Sequence, residues 1–86
     1  MTIPARDVLA FVEECTDNAF PVDAALVAGK FHLSERAAAL HLTRLAGRGL
    51  IAPNDPSRPA WRRSYHVTMR GRDRLHWYEL HCSSCA

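Results

Sequence analysis

Two sets of side chains in this 86-residue chain have types and spacings suited to chemistry, one built on arginine and one on cysteine and histidine. Arg36 and Arg44 are eight residues apart, a little over two helical turns, so on a helix they share roughly one face. Arg58, Arg62 and Arg63 follow in and just beyond a proline-rich stretch, PNDPSRPA. Guanidinium forks bidentately onto phosphate or guanine. A fork on guanine supplies about 1–3 kcal/mol of base discrimination, whereas a phosphate contact adds affinity without sequence choice. Simple surface charge is the alternative for each of them. The second set closes the chain: Cys82 and Cys85 form a C-x2-C, with His81 beside them and His76 a little over one turn earlier. Zinc takes four nitrogen or sulfur ligands, and no second C-x2-C is present to complete a site. A metal would need His76, His81, Cys15 or the same tail of a second subunit. A redox pair of the thioredoxin kind opens a helix, where the dipole lowers the thiol pKa, and this pair follows a helix end. The tail is therefore read as an unliganded terminus with no cofactor. Cys82, Cys85 and His81 are kept as metal candidates, and a redox switch is the further alternative.

Nothing points to catalysis. The serines and the five histidines lack nucleophile–base spacing, no glycine loop is built to cradle phosphate, and Glu13-Glu14 are neighbours on one helix without a pocket. The chain is read as a non-enzyme.

The net charge of +2 conceals an asymmetry. Residues 1–43 carry three basic groups against six acidic ones, whereas residues 44–86 carry eight against three, and all eight are arginine. A basic half made wholly of guanidinium favours nucleic acid as partner. A solvated arginine-rich face without a partner is the plainer alternative.

These groups need a scaffold, and the composition supplies one. At 48% hydrophobic and 23% charged residues, the chain has the balance of a folded domain rather than of disorder. Its length makes one domain of modest stability, which makes a homodimer an expectation. No run approaches the roughly 20 apolar residues of a membrane span, and the opening MTIPARDVLA has no basic region followed by an apolar core. Three cysteines, an odd number with none placed to staple a small secreted fold, agree with a reducing compartment, so a cytoplasmic location is expected.

Periodicity places the elements. Val8, Phe11, Val12 and Cys15 recur at helical spacing and predict a helix over about 4–15, with Cys15 a small core residue. Turn chemistry at Thr16-Asp17-Asn18 leads to a short extended piece at Ala19-Phe20-Pro21. Asp23 can cap a second helix with inner face Ala24, Val27, Ala28 and Phe31, leaving His32 and Leu33 for a tight turn. Ser34 then caps a helix to about Arg48, with Ala38, Leu42 and Leu45 inward, His41 at the margin and Gly49 as the stop. Leu50-Ile51-Ala52 reads as a strand and Trp61–Val67 as its partner. Tyr65 and Val67 face the core, and on this strand Arg62 and Arg63 point to opposite faces. Thr68 caps a last helix to about His81. Its Leu75 and Tyr78 face the domain; Trp77 and Leu80 lie on a neighbouring strip.

In this order the chain resembles the winged helix-turn-helix transcription regulators, most nearly the MarR-like and ArsR-like groups. The resemblance rests on Leu33-Ser34, on HLTRLAGRGLI from His41 to Ile51, and on YHVTMRG from Tyr65 to Gly71. The loop DPSRPAWRR is also similar to the acid-then-arginine wing of the MarR group. It implies a mainly α fold with a small β-hairpin wing, comprising a domain over 1–81 and a cysteine-containing tail over 82–86. Within the domain it implies a recognition helix at 34–48 for the major groove, a wing at 50–67 and a C-terminal helix at 69–81. The DNA-facing residues it implies are Ser34, Glu35, Arg36, Ala37, Ala39, Leu40, Thr43, Arg44 and Arg48 on the helix, with Arg58, Arg62 and Arg63 on the wing. Terminal helices build the dimer in such families, which puts Trp77 and Leu80 in a two-fold interface; capping of the monomer core is the alternative. The helix departs from the pattern at Ala37, Ala39 and Leu40, which can do little beyond touching a thymine methyl. The hydrogen-bonding readers reduce to Arg36, Thr43 and Arg44, shifting selectivity toward the wing and DNA shape. The expectation is a small regulator that binds double-stranded DNA. Two alternatives stand beside it: a winged-helix adaptor presenting the apolar face to a protein, and a metal- or redox-responsive regulator using the C-terminal cysteines.

Overall fold

A computed structural model of the chain describes residues 3–59 and 62–82. In chain order it comprises α1 (Ala5–Asp17), α2 (Ala24–Phe31), α3 (Glu35–Gly47), β1 (Ile51–Pro53), β2 (Tyr65–Val67) and α4 (Met69–Cys82). It is mainly helical, with one two-stranded antiparallel hairpin among the described residues. No helix among them is long and apolar enough to cross a membrane.

Helices α2 and α3 begin where capping side chains predict. Asp23 accepts a hydrogen bond from the Leu26 amide at 2.8 Å, and Ser34 accepts one from the Ala37 amide at 3.1 Å. Each satisfies one amide that the first helical turn leaves unpaired. The first three helices also stop alike, on a residue with left-handed backbone: Ala19 at φ 56°, His32 at φ 57° and Gly49 at φ 76°. At the end of α3 the Gly49 amide reaches the Ala46 carbonyl and the Leu50 amide reaches the Leu45 carbonyl. This is the paired bonding of a Schellman stop, with Leu45 and Leu50 both buried as its apolar closure. At the end of α1, Ala19 and Phe20 repeat it onto Thr16 and Cys15. Only Gly49 takes this geometry without a steric cost.

Those stops aim the apolar stripes at one core. Val8 and Val12 of α1, Val27 of α2, Ala38, Leu42 and Leu45 of α3, and Ile51, Tyr65 and Val67 of the hairpin are buried together. Phe11, Cys15 and Phe31 pack against this core from its edge. Ile51 pairs with Val67, Ala52 with His66 and Pro53 with Tyr65. Val22, between α1 and α2, bridges Tyr65 from the other side, accepting its amide at 2.7 Å. The Thr16 hydroxyl, at the end of α1, accepts the Val67 amide at 3.1 Å and donates to the Val12 carbonyl at 2.8 Å.

The last helix is fastened to the hairpin by Thr68 and Gly71. The Thr68 hydroxyl accepts the Gly71 amide at 3.1 Å and donates to the Gly49 carbonyl at 2.6 Å. The Thr68 amide donates to the Leu50 carbonyl. Gly71 is buried, and a Cβ there would stand 2.0 Å from the Leu50 carbonyl oxygen. Farther along, Leu75 is buried, and Arg72 reaches α1 with contacts of 2.7 Å to Asp17 and 3.5 Å to Glu13.

Several expectations are corrected. Ala19 is left-handed rather than extended, because it terminates α1; the strand-like contact falls on Val22. Thr16 and Asp17 are helical rather than turn residues, since the backbone stop comes two residues later. Leu9 and Val22 are core residues that the four-residue stripe of α1 and the proline argument both pass over. Leu50 belongs to the Schellman stop, so β1 starts at Ile51 and extends to Pro53, which stands opposite Tyr65 where the Tyr65 amide points away to Val22, so the missing proline N–H leaves no gap in the ladder. The second strand starts at Tyr65 rather than Trp61. The Arg62 amide bonds the Pro59 carbonyl at 2.9 Å, so the chain is turning there, and Arg62 and Arg63 do not alternate across a strand. Trp61 and Cys85 lie outside the described residues.

Candidate functional site

The outward face of α3 follows from its inward one. With Ala38, Leu42 and Leu45 buried, the opposite stripe holds Arg36, Leu40 and Thr43, flanked by Arg44. Ser34, Arg36, Ala37, Ala39, Leu40 and Thr43 line one shallow groove. Leu40 is 50% exposed in it, whereas Ala39 leans inward and packs on the core. The Ser34 hydroxyl is held by its capping bond, so its first role is structural. Among the described residues neither Arg36 nor Arg44 has a carboxylate partner. Both guanidiniums can therefore meet an incoming acceptor without breaking an ion pair first. Glu35, in the first turn of α3, complements the helix dipole, which gives it a structural role as well.

The hairpin loop is held by its own side chains. Asp55 accepts both the Ser57 hydroxyl at 2.6 Å and the Ser57 amide at 3.1 Å, closing a small turn after β1. These bonds, with a smaller contribution from Arg58, hold the Asp55 carboxyl below its ordinary pKa. Arg58 stands 3.5 Å from Asp55. Arg63 folds back into the loop, donating to the Arg58 carbonyl at 2.8 Å and the Pro56 carbonyl at 2.9 Å. Asn54 and His66 close the base: the Asn54 amide group donates to the Ser64 hydroxyl at 3.0 Å, and the His66 ring lies 2.5 Å from the Asn54 oxygen. Of the three loop arginines expected to touch DNA, Arg63 shapes the loop, Arg58 is shared with Asp55, and Arg62 is exposed.

Arg48 parts company with the groove. It caps the C-terminus of α3 and lines a different concavity with Gly47, Leu50, Arg70, Arg74 and Tyr78. Sequence reasoning passes over Arg70 and Arg74 as site residues. Their signal is the run Arg70, Arg72, Arg74 at the start of a helix whose first turn has no acid, the opposite of what the dipole favours.

On α4 the strip outside the core is as expected: Trp77 is 46% and Leu80 64% exposed, with Tyr78 half-buried. His81 stacks on Trp77 with ring centres 4.2 Å apart. A second groove, between α1 and α4, is lined by Arg6, Asp7, Glu13, Leu75, Tyr78 and Glu79 among others. Cys15 sits at the core edge, where burial, above all, raises its thiol pKa and keeps it protonated. Among the described residues no group of three or more His, Cys, Asp or Glu is arranged to hold a metal. Of the tail candidates only His81 has a described side chain, and it is occupied by Trp77, whose carbonyl lies 2.8 Å from its Nδ1.

Compared with family models, with curated proteins and with solved structures, the chain matches none.

Proposed function

We propose that this chain is a small winged-helix DNA-binding regulator that acts as a homodimer in the cytoplasm. In this reading α3 enters the major groove and the loop between β1 and β2 is the wing, resting on the backbone. The observation that carries it is the exposed stripe of α3. Arg36 and Arg44, about 12 Å apart along the axis, have no carboxylate partner among the described residues and stand on a helix held by its cap and Schellman stop. Thr43 lies between them. Two helix-borne forks can each engage a guanine or a phosphate, while Ala37 and Leu40 supply apolar contact of the kind a thymine methyl accepts. Arg58 and Arg62 add charge from the wing. Function is steric: a dimer seated on an operator blocks or positions polymerase, with Trp77 and Leu80 in its two-fold contact.

A second reading is favoured by the half-exposed Leu40 in its groove, namely a winged-helix adaptor that docks a protein on the same face of α3. Selection of binding sites from random duplex DNA separates the two. The DNA reading requires enrichment of a sequence, affinity that falls steeply with salt, and loss of preference in the Arg36→Ala, Arg44→Ala double variant. Absence of enrichment removes it and leaves the adaptor.

A further inference from the structure

We propose that Arg48, Arg70 and Arg74 form a binding site for a phosphoryl group, separate from the exposed stripe of α3. The three arginines come from two elements and line one concavity, floored by Leu50 and bordered by Tyr78. The fold builds this juxtaposition. The left-handed Gly49 turns the chain directly after Arg48, Gly71 lets α4 lie against the Leu50 carbonyl, and the Arg70 stem crosses Gly49, its Cδ 3.6 Å from where a Cβ would stand.

The arrangement carries an electrostatic cost. Arg70 and Arg74 are like charges one helical turn apart, which destabilises a helix. Arg70 also stands at the positive end of α4, whose first turn contains no acid. Their neighbour Arg72 points the other way and is neutralised by Asp17 and Glu13 of α1. Among the described residues Arg48, Arg70 and Arg74 have no carboxylate partner, and Arg74 has only the Trp77 ring, 5.9 Å away. An anion in the concavity would relieve the Arg70–Arg74 repulsion and counter the charge of all three side chains.

The geometry points to phosphoryl rather than carboxylate. A carboxylate offers two coplanar oxygens that one guanidinium fork already spans; a phosphoryl group carries oxygens arranged tetrahedrally about phosphorus, which forks from three residues can approach from different directions. Two sources present this chemistry: the backbone of a DNA duplex, which rests on the function proposed above, or a free phosphorylated solute, which does not.

The experiment has two arms, each run on the full chain, on the Arg48→Gln, Arg74→Gln double variant, on Arg70→Gln, and on a charge-matched Arg6→Gln, Lys30→Gln control. In the first arm, duplex affinity is measured across salt concentrations. A backbone phosphate in the site predicts that the log–log slope becomes shallower by roughly 0.9 for each phosphate no longer neutralised, in the site variants alone. In the second arm, inorganic phosphate is titrated while the arginine Nε–Hε resonances are followed. A free solute predicts saturable shifts confined to Arg48, Arg70 and Arg74, about tenfold weaker in the double variant, with duplex slopes unchanged. A slope change, with or without phosphate saturation, supports the site and names the backbone as source. If duplex is bound with the parent slope in every variant and phosphate does not saturate, the site is refuted while the DNA reading survives. Equal effects in the control variant refute it too. Phosphate saturation without any duplex binding keeps the site and removes the DNA reading.

Discussion

The placement of α4 against the hairpin depends on Gly71, and Gly71→Ala tests it. In the folded chain the added Cβ would stand 2.0 Å from the Leu50 carbonyl oxygen, 2.8 Å from Val67 Cγ2 and 3.0 Å from the Leu50 carbonyl carbon. Comfortable non-bonded contact is about 3.5 Å, so α4 must retreat by more than about 1 Å from a backbone group that the hairpin register holds in place. Overpacking of this kind costs about 1–3 kcal/mol. The retreat also strains the Thr68 bonds to Gly49 and Leu50, worth about 0.5–1.5 kcal/mol each. Alanine returns about 1 kcal/mol of helix propensity. The net expectation is a loss of about 1–5 kcal/mol, a fall in Tm of about 4–40 °C for a domain of this size. Gly29→Ala and Gly47→Ala are the matched comparison, since a Cβ at either position meets nothing within 4 Å. Each should raise stability by up to about 1 kcal/mol. Thermal unfolding followed by circular dichroism reads all three. A Gly71→Ala protein that melts at or above the parent refutes the close approach of α4 to Leu50, and with it the convergence of Arg48, Arg70 and Arg74.

Three further expectations follow from the same contacts. Arg63→Ala removes two hydrogen bonds that tie the loop, so loop amides over 55–59 should exchange with solvent about tenfold faster or more, and unchanged exchange would show that Arg63 does not shape the loop. Trp77→Glu with Leu80→Lys should leave the domain folded and convert a dimer to a monomer in sedimentation; a parent that is already monomeric at micromolar concentration overturns the proposed two-fold contact. Asp17→Asn should matter only above acid pH. The Arg72 hydrogen bond lowers the Asp17 carboxyl below its ordinary 3.8, so the stabilisation is complete above that value and drains away as pH falls through the lower folded one. Urea midpoints of parent and variant should differ at pH 7 and converge in strong acid, and a difference that persists unchanged at low pH would refute the coupling.

The helices were legible because their signals are local. Ser34 and Asp23 cap whatever follows them, and Val27 or Leu42 must face inward once a helix of 3.6-residue period meets water on one side. The alternation that put Tyr65 and Val67 inside is local in the same sense. The hairpin's ends were less legible. Where pairing stops at Tyr65 depends on Arg62 turning onto Pro59 and on Arg63 reaching back to Pro56 and Arg58, contacts between residues whose types do not announce them. Ala19 misled for a related reason: alanine gives no sign of left-handed backbone, and only the bonds from Ala19 and Phe20 onto the end of α1 hold it there.

The candidate site divides along the same line. Arg36, Leu40 and Thr43 share a stripe because of helical geometry alone, so residue order was enough to group them. Arg48, Arg70 and Arg74 are separated by the whole hairpin, and their types mark them only as charge. What brings them together is a buried glycine at 71 that admits the Leu50 carbonyl and a threonine at 68 that bonds the end of α3. Periodicity and capping act over a few residues and can be read along the chain. Convergence of charge is set by packing between elements, which the chain's order does not contain.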